Sequence, residues 1–394
     1  IGDYAFKDCS SLISITIPES VTIIGSGAFN GCSSLTSITI PKNITKIGDW
    51  TFSGCSSLTA ITIPENVTII DARAFNNCSS LKSVTIPENV TNISSYAFYG
   101  CSSLTSITIP SKVSNLGATV FANCGGSLNI DVVESNAYYS SADGVLFNKL
   151  KTTIINYAKD KSQPVYHIPD SVTSIESEAF SECSSLTSIT IPESVTSIGT
   201  HAFYNCSSLK SVTIPSGVTK IEALTFSGCS SLMSIIIPES VTSIGINVFG
   251  NCSSLKSVTI PSGVTRIENS TFAGCSSLTS ITIPDSVTSI GSDAFYNCSS
   301  LTAITIPSGV TKISMRMLAG CLSLKTINCL RQTAPSIEMW AFGWSETDYT
   351  GRNSYNTGEN KLYVPTDATG YDTDMWLSVL CNADRCGFTL YKTL

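Results

Sequence analysis

Histidine is almost missing from this chain, with two in 394 residues, His167 and His201. Neither has a nucleophile, a carboxylate or a second histidine at a recognisable spacing, so a general base or a histidine-built metal centre has little to work with. Charge is scarce as well: 13% of residues are charged and the net charge is −7. A weakly acidic, thinly charged surface has no basic patch for nucleic acid or an anionic membrane. No apolar run approaches the ~20 residues of a membrane span. Serine is plentiful, but no G-x-S-x-G elbow, phosphate loop or EF-hand spacing occurs. The Glu residues that follow proline (Glu19, Glu65, Glu88, Glu193, Glu239) are single turn residues and read as a solvated edge rather than calcium ligands. The expectation is therefore a protein that is not an enzyme, holds no metal or cofactor, and does not insert into a membrane through this segment.

What the chain does have is a repeat of 23 residues, seen most cleanly from Leu278 to Ser300 and beginning again at Leu301. Numbered from its leucine, the unit is apolar at positions 1, 4, 6, 10, 13, 17, 18 and 21: Leu278, Ile281, Ile283, Val287, Ile290, Ala294, Phe295 and Cys298. A fixed period of this size marks a solenoid whose coils bury their apolar faces against one another. Leu-x-x-Ile-x-Ile reads as a strand. Pro284 ends it by removing a donor, and Asp285-Ser286 supplies a turn. Val-x-x-Ile is a second, shorter strand. Ala-Phe-x-x-Cys is too short for a lasting helix and reads as a helical or 3₁₀ turn.

The spacing Leu-x-x-Ile-x-Ile-x-x-(Asn/Ser/Gly)-Val resembles the leucine-rich repeat. More narrowly, the segment "SLTSITIPxSVTSIGxxAFxxCSSL" looks like the BspA-like subclass. The likeness extends over almost the whole chain. It implies a β-rich leucine-rich-repeat superhelix that is secreted or displayed on a cell surface. The implied role is adhesion to, or recognition of, a host or microbial surface protein, a matrix protein or a glycan. A structural spacer, a phage tail or particle subunit, and an ice- or glycan-binding Thr/Ser face are the other readings. The departure is at position 9, where Asn43, Asn66 and Asn89 fit the pattern but Ser or Gly stands elsewhere. The chain opens inside a repeat at Ile1 without Met or signal peptide, as a fragment or processed form does.

Residues 1–327 form the expected solenoid as one elongated domain, interrupted by an expanded coil at about 125–167. There Val145–Phe147 and Thr152–Tyr157 read as a hairpin around Asn148–Lys151. From Leu186 the units alternate in pairs, giving a 46-residue super-repeat of Pro-Glu/Asp-Ser and Pro-Ser-Gly coils. Residues 328–394 are expected to cap the open end, with Trp340, Phe342 and Trp376 over the last coil. Thirteen of the sixteen cysteines fall at position 21 and read as a column of buried, reduced thiols. A serine there would bury a hydroxyl at about 1–3 kcal/mol unless it found a partner. Cys381 and Cys386 are close enough in sequence to bridge, or to stay free.

For binding, three surfaces compete. One is the strand face, where position 5 is mostly Thr, position 3 mostly Ser, and Lys82, Lys210, Lys256 and Lys325 interrupt the threonines of position 2. The second is the aromatic expanded coil and the third the polar loop 346–360. Binding energy concentrates in aromatic and arginine anchors and recognition usually sits on irregular loops, so the candidate contacts are Tyr138, Tyr139 and Lys149, with Lys82, Lys210 and Lys256 as the strand-face set. A plain solubilising role for the Ser/Thr face is the competing reading.

Overall fold

The computed structural model describes residues 1–124, 128–157, 164–338, 340–341, 360–371 and 388–392. They divide into two compact units: Ile1–Pro164 with Ser171–Ser185, and Val165–Asp170 with Leu186–Leu394.

In the first unit, each Leu-x-x-Ile-x-Ile segment gives a short strand that pairs in parallel with its counterpart 23 residues on. Ser14–Thr16 lies beside Ser37–Thr39 in the register Ile15↔Ile38. Ala60–Thr62, Ser83–Thr85, Ser106–Ile109 and Asn129–Val132 form a four-stranded parallel sheet. A second sheet stacks the shorter strands Lys46–Ile47, Ile69–Ile70, Asn92–Ile93 and Asn115–Leu116. The second unit repeats the plan. Its last sheet runs through Ala303–Ile306, Thr326–Cys329, Asn360–Val364 and Phe388–Lys392. Leu362 faces Ile327 across it, so the chain beyond 328 extends the stack with strands. Trp340 is 38% exposed; Phe342 and Trp376 lie outside the described residues.

The Ala-Phe stretch corrects the expectation of a helical turn: no helix occurs among the described residues. Three successive turns close instead, with Ala28 N–H donating to the Gly25 carbonyl, Asn30 to Gly27 and Cys32 to Phe29. The intervening amides bond outward, Gly27 to Asp49, Phe29 to Thr51 and Gly31 to Ser53 of the next coil. This third ladder requires a left-handed residue at positions 16 and 20, such as Arg73 (φ 56°) and Asn77 (φ 57°). Left-handed backbone breaks a helix after a few residues, which is why none forms. Every side of a regular coil thus satisfies its buried backbone groups against its neighbours, as it must.

The same ladder accounts for the 46-residue super-repeat. Position 20 alternates Asn205, Gly228, Asn251, Gly274, Asn297, Gly320. A Cβ at Gly228 would lie 1.9 Å from Asn205 Oδ1, and one at Gly320 2.0 Å from Asn297 Oδ1. In these coils the asparagine side chain thus occupies the space that a Cβ in the following coil would take, and a glycine stands there. At position 8 a similar pairing operates. Glu193 Oε2 accepts from Ser216 N–H at 3.1 Å and from its hydroxyl at 2.9 Å, and Glu239 does the same for Ser262.

Phenylalanines at position 18 stack coil upon coil. In the first unit Phe6, Phe29, Phe52, Phe75, Phe98 and Phe121 stand with centroids 5.2 to 5.9 Å apart. In the second, Phe203, Phe226, Phe249, Phe272 and Phe295 are 5.3 to 6.0 Å apart. No disulfide joins the position-21 cysteines, and all but Cys9 are buried; Cys381 and Cys386 lie outside the described residues. These thiols are more than small hydrophobes. Cys252 Sγ donates to the Phe226 carbonyl of the preceding coil at 3.1 Å, and Cys55 to Phe29 at 3.3 Å. A serine hydroxyl at 252 would meet the same acceptor, whereas alanine loses the donor and leaves a void. Cys252→Ser is therefore expected to destabilise no more than Cys252→Ala, each by about 1 kcal/mol in urea unfolding. A serine variant weaker than alanine by 2 kcal/mol or more would show that the carbonyl cannot be reached.

The asparagines at position 9 do form a ladder where they occur. Asn43, Asn66 and Asn89 each donate through Nδ2 to a carbonyl of the preceding coil, at 3.2, 2.8 and 2.9 Å. Ser240 and Ser286 substitute for them, donating to Val218 and Val264 at 2.7 Å.

Candidate functional site

The expanded coil is tied together by one buried residue. Asn136 is fully buried; its Nδ2 donates to the Pro110 and Val113 carbonyls, and its Oδ1 accepts from the Tyr138 and Tyr139 amides. Three antiparallel strands follow: Tyr139–Ala142, Val145–Asn148 and Thr153–Asn156. The second and third make the expected hairpin. The first two are joined by Asp143-Gly144, both with positive φ, the primed turn that Asp-Gly favours.

The candidate contacts here have different lives. Tyr138 is 53% exposed. Tyr139 is half-buried; its hydroxyl accepts from Leu116 N–H at 2.9 Å, and burial raises its pKa. Lys149 is exposed, yet its ammonium donates to the Glu134 carbonyl at 3.1 Å and to that of Asn136 at 2.5 Å. Tyr139 and Lys149 thus brace the coil, and of the three Tyr138 alone has most of its ring in solvent. Phe147 is core. The loop 346–359 lies outside the described residues.

On the strand face Lys82 belongs to the first unit, and Lys210 and Lys256 to the second; all three are exposed. In the first unit this face carries a shallow groove of about 410 Å³ whose lining includes Ser83, Thr85, Ser106 and Thr108, with Glu65 and Glu88 at its edge. In the second unit something different stands between the two lysines. The coil midway between theirs places Met233 at position 2, 45% exposed, and Ile236 at position 5, 62% exposed. Ile236 occupies a place that is Thr213 in the coil before and Thr259 in the coil after.

Three cations on the shorter strands of this unit have carboxylate partners. Lys220 pairs with Glu222 at 2.9 Å, Arg266 with Glu268 at 3.2 Å and Lys312 with Glu338 at 2.5 Å. Among the described residues Lys210 and Lys256 have none. With coils about 4.8 Å apart, the two lysine positions flank an exposed aliphatic pair across roughly 10 Å of the strand face. The only sign of this in the sequence was the break in the threonine column at Ile236.

Among the described residues neither histidine joins a group of potential catalytic side chains. His167 is exposed and its Nδ1 lies 3.0 Å from Thr190 Oγ1. His201 packs edge-on to Tyr204, and burial lowers its pKa. No group of three or more potential metal ligands occurs among the described residues, and no described helix is long and apolar enough to cross a membrane.

The pattern of a BspA type leucine rich repeat region matches this chain in six copies, over residues 1–127, 152–279 and 265–348. Among solved structures, a leucine-rich repeat protein from Bacteroides ovatus is 29% identical, with a TM-score of 0.56, over 97% of this chain and 93% of that one. A leucine rich cell surface protein from Faecalibacterium prausnitzii is 33% identical, with a TM-score of 0.55, over 84% of this chain and 82% of its own. A leucine-rich repeat protein from Eubacterium ventriosum is 25% identical over 88% of this chain and 92% of that one, with a TM-score of 0.61. No curated protein matches.

Proposed function

Since this chain belongs to the BspA-type leucine-rich repeat family, we propose that it is a non-enzymatic recognition scaffold, secreted or displayed on a cell surface. It adheres there to a host or microbial surface protein or a matrix protein. A leucine-rich repeat scaffold is rigid and presents a continuous face, which suits recognition of another protein. The surface location is supported by the family and by the Faecalibacterium structure described as a cell surface protein.

The observation that carries the reading is the Lys210–Met233–Ile236–Lys256 patch. Two cations without carboxylate partners among the described residues and two partly exposed aliphatic side chains stand together there. A partner that covers the aliphatics and brings carboxylates to the lysines gains on both counts. The uniform Ser/Thr face around them has no comparable anchor, since serine and threonine are poor hot spots.

A screen of the immobilised chain against matrix and cell-surface proteins tests this. The double variant Lys210→Glu with Lys256→Glu, and separately Ile236→Thr, is expected to weaken the captured partner at least tenfold, about 1.4 kcal/mol, with unchanged thermal unfolding. If Tyr138→Ala abolishes binding while the strand-face variants leave it intact, the site lies on the expanded coil. If the folded chain retains no protein at all, the structural-spacer reading takes its place.

A further inference from the structure

In the first unit, position 16 of three successive coils is Trp50, Arg73 and Tyr96. Each has φ near +60°, set by the turn ladder, and each side chain is partly exposed. The Arg73 guanidinium carbon lies 4.6 Å from the Trp50 ring centroid and 4.6 Å from that of Tyr96. The guanidinium therefore stands within cation–π distance of an aromatic ring in the coil before and another in the coil after. It carries five N–H donors in one plane. Among the described residues no carboxylate pairs with it. The acids of the adjacent turns are engaged elsewhere: Asp71 pairs with Lys46, and Asp49 Oδ1 accepts from Ala72 N–H.

The second unit shows what an arginine at this position takes when it can. Arg316 also stands at position 16, and the preceding coil presents Asp293 in the same column. Arg316 Nε lies 2.9 Å from Asp293 Oδ1, and Nη2 donates to Oδ2 at 3.0 Å. One N–H of the guanidinium thus donates to the carboxylate while Nε stands at ion-pair distance from its other oxygen, a charge-assisted contact of the kind guanidinium favours. In the first unit Trp50 stands where the aspartate would be. The geometry of the coil is the same; the carboxylate is missing.

We propose that the Trp50–Arg73–Tyr96 sandwich is a binding site for a carboxylate side chain in an acidic segment of a partner protein. The carboxylate docks two-pronged on the edge of Arg73, with aliphatic neighbours against the ring edges. This deepens the recognition function proposed above and rests on it. Tryptophan, tyrosine and arginine are the residue types that dominate hot spots at protein interfaces. An acidic sugar fits less well, because the ring faces next to the guanidinium, on which a sugar would stack, are already taken by Arg73. Pre-stacking also removes much of the entropy that an arginine loses on binding.

The probe is a blocked octapeptide with one central glutamate between two leucines and Ser/Gly elsewhere, compared with its glutamine counterpart by fluorescence anisotropy. The full chain is expected to bind the glutamate peptide with a dissociation constant at or below about 1 mM and the glutamine peptide at least tenfold more weakly. Arg73→Gln should erase that difference, and Arg73→Lys, which keeps the charge but not the fork, should lose most of it. Lys210→Glu with Lys256→Glu should leave it untouched, which separates this site from the strand face. Thermal unfolding of each variant guards against loss of fold. Equal binding of the two peptides, no binding of either, or an unchanged preference in Arg73→Gln would each overturn the proposal. So would glucuronate displacing the peptide at equal concentration, which would make the ligand an acidic sugar. A partner protein captured through the strand face but indifferent to Arg73→Gln would leave the recognition function standing without this site.

Discussion

Raising the pH above about 9 is expected to unfold this protein steeply, because its core is a column of thiols that cannot ionise in place. Burial pushes the Cys55 and Cys298 thiols up to about 12, and those of Cys78, Cys252, Cys275 and Cys321 well above their ordinary value. Neighbouring thiols in the column raise most of them further. In the unfolded chain a cysteine ionises near 8.5. Below that value both states keep the proton and stability does not depend on it. Between about 8.5 and 12 the unfolded chain releases protons that the folded chain retains, so stability falls as pH rises. Each buried thiol contributes a slope approaching about 1.4 kcal/mol per pH unit. Several acting together exceed the whole stability of a typical domain within one or two units. Urea unfolding at pH 7 to 10.5 would read this directly. Buried tyrosines such as Tyr157 act in the same direction, so the control is Cys252→Val with Cys275→Val, which should lower the slope by about two thiols' worth. Stability unchanged up to pH 11 would sink the argument. At neutral pH a thiol reagent should label Cys9, which is exposed, long before the column.

The fold was legible because its determinants are periodic. Leucine at position 1, isoleucine at 4 and 6, valine at 10, phenylalanine at 18 and cysteine at 21 return every 23 residues, and burial follows them. The turn before the cysteine was misread as helical because position 16 has no common residue type: Trp50, Arg73, His201, Leu224 and Asp293 share one left-handed backbone. That conformation is imposed by hydrogen bonds to the next coil, which local propensity does not register. The Asn/Gly alternation at position 20 did carry the signal, since those two residues tolerate positive φ best. Asp143-Gly144 carried another, for a strand pair that only the structure brought out.

The candidate site was less legible. A lysine in a strand looks the same in sequence whether or not a carboxylate reaches it. Lys220 has Glu222 beside it, while Lys210 faces solvent on another sheet, and only geometry separates the two. Tyr139 and Lys149 looked like contacts because they are an aromatic and a cation on an irregular loop. Their hydrogen bonds to Leu116, Glu134 and Asn136 also tie the coil together, a duty that the sequence did not show. Trp50, Arg73 and Tyr96 each read as an isolated turn residue until the period of 23 sets them in one column.

Replacing Phe249 with alanine is the single substitution expected to cost most, about 3–5 kcal/mol. The ring is fully buried, stacked on Phe226 at 6.0 Å and Phe272 at 5.4 Å, with interplanar angles of 6° and 14°. Its removal leaves a cavity that the coil cannot close, because the backbone on either side is fixed by ladder bonds such as Phe249 N–H to the Thr271 carbonyl at 2.9 Å. The loss then spreads, since Phe226 and Phe272 each forfeit a stacking partner as well. In a solenoid, coils are coupled chiefly to their nearest neighbours, so damage at one level weakens two interfaces at once. Phe249→Leu keeps much of the volume and is expected to cost less, as Leu318 already fills the same position. Urea unfolding of the two variants checks this, with hydrogen exchange at the amides of residues 226–273 to locate the weakening. A loss below about 1 kcal/mol for Phe249→Ala, or exchange that quickens evenly along the second unit, would mean that the phenylalanine column is not what couples its coils.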